Sequence, residues 1–336
     1  MNNTTKPEYP AIDIAKLVCA LLVVAIHTEP FAFNYWLDKA FGVLTRIPVP
    51  FFFMASGFFL FYTDKEKTTF LKISKYCFRI LILYTAWSII YLPLLYSRCL
   101  TDNSFNTSMF LKSIFWFGSY SHLWYLIASI VAALLTYVSL KVTSMKMTFF
   151  ISVVFLIFGT MFSTYAPLFK RLHLGVLDRI LSVLDTIGTR NGLFYGFFYI
   201  TLGAYAIQCK SYKIAIYLAV FVVSFIALAV EGFIAVRYVG SIEHNLWFCA
   251  PPLVFSSYMI ILSLKPIISK KIALICRNGS TIIYTSHRLF IVFLISIVHL
   301  EKGLFLCLLT TVIAIAFSGL ILYLKEGKMR FLKYLY

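Results

Sequence analysis

Residues 12–30 read IDIAKLVCALLVVAIHTEP. The ten residues between Lys16 and His27 include nothing more polar than a cysteine. A run of this kind predicts a helix that crosses a bilayer, whose hydrocarbon core is roughly 30 Å thick and takes about 20 residues to span. Yet Asp13 and Lys16 sit near one end of it, and His27 and Glu29 near the other. Such groups are costly in lipid, so each needs a partner, an aqueous face or a function. Lys16 and His27 are eleven residues apart. At about 100° per residue that returns within about 20° of one helix face, roughly 16 Å further along. The two are therefore expected to line one channel. Asp13, three residues before Lys16, is expected to pair with it.

The rest of the chain agrees with a membrane reading. Its 336 residues are 61% hydrophobic and 13% charged, with a mean hydropathy of +0.88. A soluble domain could not hide that much apolar surface. No sustained alternation of apolar and polar residues is present, which excludes a β-barrel. The expected fold is all-α: one polytopic transmembrane domain over 1–336. Ten spanning helices are placed at about 11–33, 43–62, 76–96, 122–140, 148–167, 191–209, 213–232, 246–264, 279–298 and 303–324. The first apolar segment lacks a short basic leader and a clean cleavage site, so it is expected to remain as a spanning helix. Seven scattered cysteines form no C-x-x-C pair, so they read as small packing residues rather than metal ligands or disulfides.

With the N-terminus inside, nineteen cations fall in cytoplasmic segments and ten outside, with Arg288 within a helix, which accounts for all 30. The positive-inside rule then places both termini in the cytoplasm. The net charge of +17 is mostly this topology signal and calls for no nucleic acid. It suits contact with anionic lipids or attraction of an anionic cytosolic ligand such as a coenzyme A thioester. No internal repeat is visible, which weighs against an inverted-repeat transporter. The external stretch 168–190 carries charges at near-helical spacing and is expected to form an interfacial amphipathic helix.

Several polar residues share the expected outer half of the membrane. His27 suits general-base work, or is an interfacial histidine satisfied by a neighbour. Arg46 opens the second helix, RIPVPFFFMASGFFLFY, as a headgroup contact or an anchor for a carboxylate. Its Ser56–Gly57 pair permits close helix packing. Trp124 and Tyr125 read first as members of an aromatic belt. Arg190 and Asn191 start the sixth helix, as an anion site or an ordinary cap. Glu231 ends the seventh helix, either solvated or facing a substrate, and Glu29 lies at the outer mouth. His287 and Arg288 lie mid-helix, where a buried network or a functional role is expected of them.

These blocks resemble the acyltransferase-3 family of bacterial membrane proteins. KLVCALLVVAIH is similar to that family's first-helix pattern of an Arg, ten residues and a His, with Lys16 standing where the family has Arg. RIPVPFFFMASGF, LWYL, RNGLFYGF and IIYTSH match further blocks in order, over most of the chain. The resemblance implies a ten-helix fold in the bacterial plasma membrane. In acetylating members the His acts with an acyl-CoA from the cytoplasm and an acceptor at the outer side. KLVCALLVVAIHTEP and RNGLFYGFFYITLG look closer to one branch, the membrane domain of membrane-bound serine/alanine racemases from vancomycin-resistance clusters. There a cytoplasmic pyridoxal-phosphate racemase domain follows, and L-serine uptake has been suggested. About twelve residues follow the tenth helix here, so this chain alone is expected to hold no cofactor and to racemise nothing.

Two functions follow from the resemblance. In the first, the domain binds or admits L-serine for an attached racemase domain. Arg46 or Arg190 would hold the carboxylate and Glu231 or Glu29 the ammonium, with Trp124, Tyr125, Asn191, His287 and Arg288 completing the substrate site. In the second, it is an acyltransferase. His27 would deprotonate an acceptor hydroxyl, and Lys16 would help hold the phosphates of an acyl-CoA co-substrate.

Overall fold

The computed structural model describes residues 9–61, 69–101, 107–171, 175–209, 213–239, 246–327 and 329–336. Lys6, Lys65, Lys67, Lys210 and Lys328, used above for the topology, lie outside them. The regular elements of the described residues are all helices, with no strand among them. The helices are α1 Pro10–Thr28, α2 Tyr35–Leu44, α3 Pro48–Phe61, α4 Phe70–Thr101, α5 Thr107–Lys112, α6 Trp124–Val142 and α7 Met145–Met161. They continue as α8 Ala166–Lys170, α9 Gly175–Ile187, α10 Phe197–Ala206, α11 Ile214–Tyr238, α12 Ala250–Ser263, α13 Lys270–Ser296 and α14 Leu304–Glu326. Among the described residues, eight helical stretches are long and apolar enough to cross a membrane. The two shorter apolar helices, α7 and α12, occupy the other two expected positions.

The first helix ends earlier than the expected residue 33. Glu29 adopts a left-handed φ of 50° and closes α1 at Thr28. A separate helix, α2, then begins behind Asn34, whose side chain accepts from the Trp36 and Leu37 amides. This is an ordinary N-cap, and α2 breaks at Thr45–Ile47 before Pro48 opens α3.

The centre of the bundle is aromatic. Phe51, Phe53 and Phe58 of α3, Tyr199 of α10 and Tyr258 of α12 are fully buried. α3 and α10 cross there with their backbones in contact: a Cβ at Gly57 would overlap the Ile200 carbonyl, and one at Gly203 the Met54 carbonyl. Small residues allow this approach, which gives helices in lipid their packing energy. The expected amphipathic segment is α9. Its Leu177, Ile180, Leu181 and Leu184 pack on the central core, while Val176 and Val183 face outward. Among the described side chains, Cys19, Cys77, Cys209, Cys249, Cys276 and Cys307 are free.

α1 and α13 run parallel. Asp13 pairs with Arg277, Leu17 packs near Gly279, and His27 stacks on His287. α14 returns antiparallel, starting where Gly303 donates its amide to the Thr28 carbonyl at 2.9 Å. Pro10 and Glu326 therefore emerge on one face of the bundle. Beyond α14 the chain turns back. Leu332 is buried against Ile282 and Ile321, and Trp87 Nε1 of α4 donates to the Leu335 carbonyl at 3.1 Å.

Candidate functional site at the His27 end of the α1–α13 seam

α13 carries the residues that organise the site. From Ser280 to His287 nearly every side chain is buried, because this turn is enclosed on several sides by α1, α4, α6 and α14. Its backbone is also used. The Thr285 carbonyl accepts from Tyr91 Oη of α4 at 2.8 Å and from His122 Nε2 at 3.0 Å. Tyr284 Oη donates to the His122 carbonyl at 2.6 Å. The two His122 bonds fasten the start of α6 to the middle of α13, and the Tyr91 bond fastens α4 to the same turn.

Three imidazoles meet at this place. The His27 and His287 rings are stacked, 5.3 Å apart and 20° from parallel. His122 meets His287 edge to face at 5.0 Å. Carbonyl partners fix two of the tautomers, since a carbonyl only accepts. His287 donates from Nδ1 to the Tyr284 carbonyl at 2.7 Å, which leaves Nε2 as the bare acceptor. His122 donates from Nε2, which leaves Nδ1. Both bare nitrogens are buried and meet no hydrogen-bond partner among the described residues. Ser286 Oγ is orphaned likewise. Leaving buried polar groups unpaired is costly, so the fold holds hydrogen-bonding capacity here that it does not use itself. His27 is half-buried, with His287, Arg288, Arg190 and Lys302 near enough to act on its charge.

Arg190 sits in the turn before a π-helical segment, Gly192–Gly196, that opens into α10. Its guanidinium lies over the Trp124 ring at 5.0 Å, and Trp124 is itself against Tyr195. Arg288 covers the Tyr120 ring at 5.7 Å. The structure thus brings His27, His287, Arg190, Arg288 and Trp124 to one end of the bundle. Trp124 and Tyr125 are not a belt: Trp124 is buried, and Tyr125 packs on Phe52, Phe53 and Tyr284. Their rings face the bundle centre rather than the membrane interface.

Other expectations are corrected. Asp13 does not pair with Lys16. Its two oxygens accept from Arg277 Nε at 2.9 Å and Nη2 at 2.7 Å, a bidentate match of fork to carboxylate that a lysine cannot make. Lys16 instead lies over the Phe59 ring of α3 at 5.1 Å, while His27 faces α13, so the two have different neighbours. Asn191 is a cap. Its Oδ1 accepts from the Leu193 and Phe194 amides, and its Nδ2 donates to the Gly188 carbonyl, so its amide is spent on local structure. Glu231 is buried and engaged. It accepts from Tyr165 Oη at 2.7 Å and from the Phe248 and Cys249 amides at 2.8 Å each. Those amides precede α12, so Glu231 secures that helix to α11 rather than waiting for an ammonium group. Glu29 pairs with Lys302 at 2.5 Å. Arg46 lies over the Trp247 ring at 5.6 Å, beside α11, and not against His27.

His122 is the functional candidate that sequence reasoning missed. Its signal was a histidine directly before the apolar run that Trp124 opens, hidden by reading SHLWYL as an interface belt. Among the described residues, no group of three His, Cys, Asp or Glu side chains is placed to hold a metal ion.

Several known proteins are similar to this chain. An amino-acid racemase of Enterococcus faecalis is 26% identical over 333 residues, covering 94% of this chain and 46% of that protein. A second one from the same organism is 31% identical over 208 residues, 60% of this chain and 28% of that protein. A serine/alanine racemase of Enterococcus gallinarum is 25% identical over 269 residues, 76% of this chain and 37% of that protein. The chain thus spans less than half the length of these relatives. No solved structure matches it significantly. The acyltransferase domain model matches residues 9–323, and the chain belongs to the acyltransferase-3 family.

Proposed function

We propose that the chain is the membrane module of an amino-acid racemase of the serine/alanine type, and that the site at the His27 end binds L-serine. The observation that carries this reading is Arg190, held over Trp124 beside a cluster of imidazoles with unused acceptor nitrogens. A guanidinium in this setting suits a carboxylate. The serine hydroxyl would donate to an imidazole, and its ammonium would face the aromatic rings around Tyr284, because Glu231 and Glu29 are already engaged. Delivery of L-serine to an attached cytoplasmic racemase domain, with pyridoxal phosphate there, and a part in vancomycin resistance and cell-wall synthesis belong to this reading. The relatives' names and their greater length support it.

A second reading, acyl transfer, is favoured by a different observation. His27 stands where the family's first-helix histidine stands, and Arg190 and Arg288 lie near it. His27 would take the proton of an acceptor hydroxyl as that oxygen attacks an acyl-CoA carbonyl. Arg190 or Arg288 would stabilise the oxyanion. The C–S bond would then break, and the coenzyme thiolate would leave with a proton. Equilibrium binding by the purified chain separates the two. Saturable L-serine binding without acetyl-CoA turnover is expected. Acetyl-CoA turnover with no L-serine binding would replace the first reading by the second.

A further inference from the structure

α2 and α11 enclose a groove at the His27 end of the bundle, away from the imidazole cluster. It encloses about 620 Å³, within the range of about 300–1,000 Å³ usual for small-molecule sites. Each helix gives it one face at helical spacing: Tyr35, Lys39 and Val43 from α2, and Leu228, Gly232 and Val236 from α11. The walls are apolar, and the floor at Gly232 is open, since a Cβ there would meet nothing within 4 Å. Its charged lining is of one sign. Lys39, Arg46 and Arg237 contribute, and no carboxylate lines it among the described residues. Asp38 lies just beside it, paired with Lys39 at 3.1 Å. Trp36 is 69% exposed and Tyr238 59%, as suits rings at a membrane–water interface. α11 itself is the least buried of the long apolar helices, so the groove opens toward lipid.

An apolar slot beside one charge sign at the level of the interface matches an amphiphile with an anionic head. We propose that this groove is a binding site for a single anionic phospholipid of the surrounding leaflet. Lys39, Arg46 and Arg237 take its phosphate, and one acyl chain lies over Gly232. The inference is independent of the L-serine reading, because its residues are not those of the imidazole cluster.

The test is quenching of tryptophan fluorescence by brominated lipid in nanodiscs. Wild-type protein is measured with small fractions of dibrominated phosphatidylglycerol or dibrominated phosphatidylcholine. Trp36→Phe/Trp247→Phe identifies the groove's share of the signal. The expected result is quenching of that share at lower mole fraction by phosphatidylglycerol. The preference should fall about fivefold for each cation removed in Lys39→Gln and Arg237→Gln. Gly232→Phe, which fills the floor, should remove it as well. The two cation variants change exposed or half-buried side chains, so they test the site even if Gly232→Phe does not fold. Equal quenching by the two lipids in wild type, or an unchanged preference in Lys39→Gln/Arg237→Gln, overturns the proposal.

Discussion

The two ends of the α1–α13 seam are made by the same pair of helices, and they treat polar groups in opposite ways. At the Asp13 end an acid meets a forked base and both carboxylate oxygens are used. At the His27 end three imidazoles and two arginines gather, two ring nitrogens meet no hydrogen-bond partner among the described residues, and the nearby Glu29 is already held by Lys302. One end is closed chemistry that holds the helices together. The other retains hydrogen-bonding capacity for something that is not the protein. The contrast teaches that cost in the membrane does not identify function: both ends are costly, and only the unspent one points to a ligand.

Breaking the closed end should cost the most stability. Arg277→Ala leaves the Asp13 carboxylate, 1% exposed, without its partner. Loss of about 3–5 kcal/mol is expected, seen as a lower midpoint of thermal unfolding in detergent. Asp13→Asn in the same background should recover part of it, since no charge is then buried. A midpoint equal to wild type would mean that the pair is not what closes this end.

Next in size is the α3–α10 crossing at the centre of the bundle. In Gly203→Ala the new methyl overlaps the Met54 carbonyl, so α3 and α10 must separate. A loss of about 1–3 kcal/mol is expected, with L-serine affinity lowered only through the fraction unfolded. Affinity lost at full stability would instead tie the α3–α10 crossing directly to the site.

The open end should behave differently. His287→Phe keeps a ring against His27 and removes the orphan nitrogen. Stability should change by less than about 1.5 kcal/mol, while L-serine binding is lost. A large fall in stability with binding retained would make the imidazole cluster structural, like the Asp13 end. The smallest effect is expected at the rim. Glu29→Gln breaks an ion pair with both side chains about half exposed and should cost less than about 1 kcal/mol, measured by the same unfolding scan.

How much of this was legible in the sequence follows from which contacts are local. The apolar run alone gave α1, and the near-helical spacing of the charges within 168–190 gave α9. The break after Thr28 was harder. Glu29 takes a left-handed backbone that its side chain does not announce, although Asn34 was a readable cap for α2. The Asp13–Arg277 pair joins residues 264 positions apart. Lys16, three residues away, was the only partner that local reasoning could offer. The same limit applies to Glu231, whose donors come from Tyr165 and from the amides before α12. His27 and His287 were visible as costly residues in apolar helices, but their stacking depends on α1 and α13 being neighbours, which no local pattern shows.

The central claim is that the His27 end binds a ligand and the Asp13 end does not. Equilibrium binding of radiolabelled L-serine to purified wild type, Arg190→Gln and Arg277→Gln tests it most directly. The account predicts saturable binding by wild type, affinity about ten- to a hundredfold weaker in Arg190→Gln, and wild-type affinity in whatever fraction of Arg277→Gln remains folded. Equal affinity in wild type and Arg190→Gln, or no saturable binding by wild type, would contradict it.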